Sequence, residues 1–98
     1  MACERIRVDV KIYYMSIFQN GYIKLEFNKG ATILDVLNEL KIRYGEAFKK
    51  ETGKCLLEAF YSYFKVFLNG TYVDLPLKVN EKLKDNDNLL IFRPVSGG

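Results

Sequence analysis

The chain has 98 residues, 49% hydrophobic and 28% charged, with a formal net charge of +3, the profile of one small folded domain. It contains no histidine, which removes the commonest general base, the commonest metal ligand and the usual catalytic triads. A domain of this size buries one core but cannot enclose a large substrate, so any chemistry it joins is expected to draw its acid and base from another protein.

In chain order, "RIRVDVKIYY" alternates, with Ile6, Val8, Val10 and Ile12 on one side and Arg7, Asp9 and Lys11 on the other. That period of two predicts a strand with one buried face. "YIKLEFN" repeats it, setting Ile23, Leu25 and Phe27 against Lys24 and Glu26. Asn20-Gly21 between them tolerates positive φ at both positions and predicts a tight hairpin turn.

The period then changes. Ile33, Val36, Leu37, Leu40 and Tyr44 follow helical spacing. Thr32 is placed as N-cap, with Asp35 completing a variant of the capping box. Lys41 and Arg43 are expected in the last turn, and Gly45 to close the helix. Glu46 to Lys50 reads as a further helical turn, and "CLLEAFYS" as a short helix or an irregular apolar segment. "YFKVFLNGTYV" predicts a strand, an Asn69-Gly70 turn and a short return strand. Pro76 argues against a central strand in "DLPLKVNEKLKDND". The final strand, Leu89 to Arg93, lacks alternation, as expected if both its faces are covered.

Hairpin, helix, then further strands predict an α+β fold of the β-grasp, ubiquitin-like kind. A mixed sheet of four to five strands carries one main helix on one face, with the apolar final strand central beside the first. Residues 1–93 are expected to form the single domain and 94–98 a flexible C-terminal tail.

Several other features are read by exclusion. No apolar run approaches the ~20 residues of a membrane helix, and "MACERIRVDV" lacks the apolar core of a signal peptide. A cytoplasmic protein with no membrane partner is expected. Cys3 and Cys55 form no metal-ligand spacing and are expected to be free thiols, Cys55 partly buried beside Leu56 and Leu57. The positive charge is mild and scattered, so no nucleic-acid partner is expected. "DNDN" at 85–88 lacks the central glycine of a calcium loop, and Ser96 stands where its glutamate belongs, leaving a turn and no metal site. The aromatic cluster Phe60, Tyr61, Tyr63, Phe64 and Phe67 can be an exposed docking patch or can cover the sheet.

The ending, "LKDNDNLLIFRPVSGG", resembles the C-terminal signature of the sulfur-carrier proteins. These include the small subunit of molybdopterin synthase, the thiamine sulfur carrier and the archaeal ubiquitin-like modifiers. Leu83, Asp87, Leu89, Ile91, Pro94, Val95, Ser96, Gly97 and Gly98 carry the resemblance, and "KGATILDVLNEL" looks like the family's helix entry. Arg93 stands where the first of two prolines is usual, and Asn86 where a turn glycine is usual. Asparagine tolerates left-handed geometry, so that replacement costs little.

The resemblance implies a chemistry. An adenylating enzyme of the ubiquitin-activating type uses ATP to activate the carboxylate of Gly98. A sulfur donor then displaces AMP and leaves a thiocarboxylate. The carrier hands that sulfur to the large catalytic subunit of molybdopterin synthase, in the assembly of the molybdenum or tungsten cofactor. On this reading the chain binds no cofactor and is non-catalytic by itself, serving as the sulfur-donating subunit.

The residues suit these demands. From Pro94 to Gly98 the extended reach is roughly 17 Å. Gly97 and Gly98 can thread a narrow channel, and Pro94 limits the freedom lost when the arm is ordered. Pro94, Val95, Ser96 and Gly97 are the expected partner contacts, with Phe67, Leu68 and Phe92 beside them on the sheet surface. The alternative is a protein modifier joined through Gly98 to lysines. A third is a β-grasp interaction module with an inert tail.

Overall fold

The computed structural model describes residues 4–13 and 21–92. Strand β1 (Arg5–Tyr13) buries Ile6, Val8, Val10 and Ile12 and leaves Arg7 and Lys11 exposed, the alternation its sequence predicts. Strand β2 (Tyr22–Asn28) pairs antiparallel with it, from Lys11 opposite Tyr22 to Arg5 opposite Asn28.

The two-residue turn expected at Asn20-Gly21 does not form the hairpin. Ile12 donates its N–H to the Gly21 carbonyl at 2.7 Å, so Gly21 faces Ile12 across the ladder, within the pairing rather than at its turn. Asn20 lies outside the described residues. Gly21 still answers to a backbone demand: its φ is +71°, and a Cβ there would stand 2.6 Å from the Ile12 carbonyl oxygen.

Helix α1 (Ile33–Thr52) starts as its sequence predicts. Thr32 donates its N–H to Asp35 Oδ2 at 2.8 Å, and Asp35 donates its N–H to Thr32 Oγ1 at 3.4 Å. Two first-turn donors, which have no partner inside a helix, reach the chain preceding the last strand. Ile33 N–H bonds the Glu81 carbonyl at 3.1 Å, and Leu34 N–H the Val79 carbonyl at 2.9 Å.

The end of α1 departs from expectation. The helix runs through Gly45, and Gly53, at φ +75°, closes it by donating its N–H to the Lys49 carbonyl at 2.7 Å. The basic residues of the last turn are Lys49 and Lys50, not Lys41 and Arg43. A glycine inside a helix costs about 1 kcal/mol relative to alanine. Burial of a phenylalanine side chain contributes about 1.5–3 kcal/mol, and Phe48, one turn beyond Gly45, is 2% exposed. Burial wins.

Helix α2 (Leu56–Ser62) settles the ambiguous segment, burying Leu56, Ala59 and Phe60. Cys55 is a free thiol and exposed, not partly buried. It is the N-cap residue of α2, outside the helical face that carries Leu56 into the core. Cys3 lies outside the described residues.

Strands β3 (Lys65–Leu68) and β4 (Thr71–Val73) form a hairpin. Asn69 at φ +51° and Gly70 at φ +86° occupy its turn, the pair of positive φ values that matches strand twist. Pro76 sits among turns, and Leu83 is buried there. Strand β5 (Asp87–Phe92) then enters the middle of the sheet, parallel to β1 and antiparallel to β3. The order is β2-β1-β5-β3-β4, a mixed β-grasp sheet with the helices on one face. Ile33, Val36, Leu37 and Leu40 of α1 and Phe60 of α2 share one core with Val8, Val10, Leu89 and Ile91.

Strand β5 carries a second correction. Its burial alternates, with Asp87, Leu89 and Ile91 buried and Leu90 and Phe92 only half-buried. One face is covered by helices and the other is not. Its unbroken apolar run therefore has another origin than two covering layers.

Candidate functional site

Three devices fix where β5 starts. Asp87 is 8% exposed and accepts hydrogen bonds from Asn69 Nδ2 at 2.9 Å and from the Lys84 N–H at 2.6 Å. Asn69, in the β3–β4 turn, also accepts from the Asn88 N–H at 2.9 Å and donates its own N–H to the Asn88 carbonyl at 2.8 Å. On the other flank, Arg7 N–H donates to Asp85 Oδ1 and Asn86 N–H to the Arg7 carbonyl, both at 2.8 Å. Asn86 adopts φ +68°, the left-handed conformation expected of a residue in the usual glycine position.

This clamp sets the register of the central strand. A one-residue slip would exchange the two faces of β5. In the register held, Lys11 lies opposite Leu90 and Tyr13 opposite Phe92 on one side, and Phe67 opposite Leu90 on the other. Tyr72 pairs with Phe67 from β4. All project from the face that the helices leave open.

The result is an aromatic strip beside the end of β5. Phe67 stacks on Phe92 with centroids 5.6 Å apart and planes 14° from parallel. Tyr72 meets Phe67 edge-on at 5.7 Å. Tyr13 is 57% and Tyr72 49% exposed. A shallow groove of about 450 Å³ runs along the strip, lined by Lys11, Tyr13, Phe67, Asn88, Leu90 and Phe92 among others. Cations flank it: Lys65 Nζ lies 5.5 Å from the Tyr72 ring centroid, and Lys11 Nζ 5.9 Å from that of Tyr22. An apolar centre with a charged rim has the make-up of a protein-binding surface.

The sheet-surface residues chosen from sequence divide. Phe67 and Phe92 come together on the open face. Leu68 does not join them, because it pairs with Leu89 and packs against the core on the helix side. Strand alternation separates neighbours that sequence proximity groups. Pro94, Val95, Ser96, Gly97 and Gly98, with Arg93, lie outside the described residues.

The aromatic cluster of the sequence also splits. Phe60 and Phe64 are core residues, 1% and 6% exposed, with centroids 5.5 Å apart. Tyr61 packs partly against that core, while Tyr63 is 44% exposed. Only Phe67 reaches the open strip. Tyr13, Leu90 and Tyr72 were not singled out from sequence. The signal for Leu90 was its place between Leu89 and Ile91; Tyr72 needed the Asn69-Gly70 hairpin register.

Among the described residues no cluster of three or more Cys, Asp or Glu side chains could hold a metal, and no helix is long and apolar enough to cross a membrane. What the site offers is a partly exposed aromatic strip on and beside the strand that leads into residues 93–98.

No curated protein matches the sequence. The chain is similar to the candidate molybdopterin converting factor subunit 1 of Pyrococcus furiosus, at 28% identity over 92% of this chain and 99% of that one, with a TM-score of 0.64. It has the fold of small archaeal modifier protein 1 from Methanosarcina acetivorans, at 24% identity, 97% and 99% coverage and a TM-score of 0.60. It also has the fold of a chain in the Helicobacter pylori complex of molybdopterin-converting factor subunits 1 and 2, at 24% identity, 95% and 100% coverage and a TM-score of 0.51. The ThiS family model matches residues 16–98, most of the chain and through its final glycine, so the chain belongs to the ThiS family.

Proposed function

We propose that this protein is a sulfur carrier acting through the carboxylate of Gly98 in molybdopterin biosynthesis. The observation that carries the reading is the placement of β5. The central strand leading into Pro94-Val95-Ser96-Gly97-Gly98 is clamped at its start and ends beside an aromatic docking face. A partner that grips this face has the following residues within reach of its own active site.

The chemistry divides between the chains. A carboxylate is a poor electrophile, so it first attacks the α-phosphorus of ATP in the adenylating enzyme and expels pyrophosphate. The acyl-adenylate has a good leaving group. Hydrosulfide supplied by the donor attacks its carbonyl carbon, the bond to the AMP oxygen breaks, AMP departs, and after loss of the proton a thiocarboxylate remains on Gly98. This chain contributes the carboxylate, the slender Gly97-Gly98 approach and the recognition face; the partners contribute acid, base and ATP site. The acceptor is a large subunit of the kind found with subunit 1 in the Helicobacter pylori complex.

A second reading, conjugation through Gly98 to lysines on proteins, is supported by the likeness to the archaeal modifier protein. It shares the activation step and differs only in the nucleophile that follows.

Intact mass of the protein from its native cells, with fragments localised to the C-terminus, tests both. One oxygen replaced by sulfur on Gly98 is the expected result. Gly98 joined to lysine-containing fragments instead would favour the modifier. Loading in vitro with ATP, adenylating enzyme and sulfur donor should be abolished by one residue added after Gly98. Unimpaired loading of that extended chain would sink both readings.

A further inference from the structure

The sheet has two edges, and they are treated differently. Strand β4 is three residues long, short enough to offer little template. Strand β2 is seven residues long, contains neither Pro nor Gly, and keeps an unbroken register with β1 from end to end. On its other side it pairs with no strand among the described residues. A long, regular edge is a ready template for another strand.

Its free backbone groups can be named. In an antiparallel pair, hydrogen-bonded residues alternate. Ile12 N–H bonds the Gly21 carbonyl and Lys29 N–H the Glu4 carbonyl. Ile23, Leu25 and Phe27 therefore point their backbone groups toward β1, and Tyr22, Lys24 and Glu26 point theirs to the open edge, while the Asn28 carbonyl already accepts from the Ala31 N–H at 3.2 Å.

We propose that this edge pairs with the same edge of a second copy, antiparallel, about a two-fold axis through Leu25. The sequence Tyr22-Ile23-Lys24-Leu25-Glu26-Phe27-Asn28 is self-complementary under that operation. Lys24 meets Glu26 of the second copy, and Glu26 meets Lys24. Both pairs fall at positions whose backbone groups face the partner. On the open face a row of charges then alternates across the junction: Arg7, Glu26, then Lys24 and Asp9 of the second copy, each opposite its neighbour in the strand register. On the helix face Ile23 meets Phe27 of the second copy and Leu25 meets Leu25. Moving the axis one residue either way sets Lys24 against Lys24 or Glu26 against Glu26. Like charges directly opposite are destabilising, so the charge pattern selects one register.

Apolar surface next to this edge agrees. Ile23 and Phe27 are only half-buried. Ile42 of α1 is 78% exposed and shares a groove of about 440 Å³ with Phe27, Asn38 and Glu39. Two short strands and their flanks bury less than the ~1,200 Å² of a standard interface, so the dimer forms with concentration and is not obligate. The aromatic strip lies on the open face of β1, β5, β3 and β4, whereas the proposed pairing uses the backbone edge of β2, so the strip stays accessible in the dimer. The inference is independent of the sulfur-carrier reading.

Sedimentation equilibrium of the full chain up to about 1 mM tests it. The parent protein should show a reversible monomer–dimer equilibrium. Glu26→Lys and Lys24→Glu each create two like-charge contacts across the axis and should weaken dimerisation about tenfold or more. Mixing these two variants in equal amounts should restore a dimer, because every cross-axis pair is then opposite in charge; that recovery also shows that both variants fold. A parent that stays monomeric, variants that dimerise as the parent does, or a mixture that stays monomeric would each overturn the proposal.

Discussion

On the helix side of the sheet, Val10, Ile12, Leu89 and Ile91 are at most 2% exposed. On the other side Tyr13, Leu90 and Phe92 come from the same strands, one residue along, and keep part of their surface in solvent. The two faces are similarly apolar at the β5 end, yet only one has a layer over it. This difference explains the unbroken run Leu89-Leu90-Ile91-Phe92. Half of it builds the core, and half builds a surface that another protein can cover. An apolar strand in a small sheet with helices on one face is thus a sign of an interface as much as of a central position.

The sharpest way to break this comparison is to truncate one aromatic residue on each side of the sheet, Phe60 of α2 in the core and Phe67 on the open face. Phe60→Ala removes a side chain that is 1% exposed and should cost about 3–5 kcal/mol in chemical denaturation. A loss below about 1 kcal/mol would mean that the helix-side core is not as closely built as described.

Asp87→Ala acts on the clamp that decides which residues face which way. It removes the acceptor for Asn69 Nδ2 and the Lys84 N–H, at a cost of about 1–3 kcal/mol. Because β5 is held by β1 and β3 as well, the variant should still fold. Amide exchange at Asn69 and Lys84 should quicken more than at Leu37 in α1, and equal acceleration would argue against a local clamp.

Phe67→Ala should be the mildest change for stability, about 1 kcal/mol, the size of a cross-strand aromatic contribution. Its effect should appear elsewhere. On the proposed function, affinity for the adenylating enzyme should fall about tenfold or more, as for a buried aromatic anchor. Phe60→Ala, by contrast, should lower stability and leave the affinity of the folded fraction unchanged. Equal losses of affinity in both variants would remove the distinction between core and docking face.

Much of the fold was legible because it is local chemistry. The alternation of β1 and β2, the Thr32 cap and the Asn69-Gly70 turn each depend on a few adjacent residues; the central place expected of β5 is observed, though its apolar run serves one covered and one open face. The candidate site was legible in part: Phe67 and Phe92 could be named, and the Gly-Gly ending pointed to the family. Errors arose where a distant contact outweighed a local preference. Gly45 has the local character of a helix end, but Phe48 gains more from the core contributed by Phe64 and its neighbours than the glycine costs. Leu68 looks like a companion of Phe67, but alternation sends it to the other face.

By itself the sequence determined the periods of β1, β2 and the start of α1, and the Thr32 cap, because those are properties of short stretches. It also determined the charge palindrome of β2. Only the tertiary structure decided which half of β5 meets the helices, that Tyr13, Tyr72 and Leu90 join Phe67 and Phe92, and that β2 is an edge. Those depend on strand order and register, which bring residues far apart in the chain within a few ångströms and which no short stretch of sequence contains.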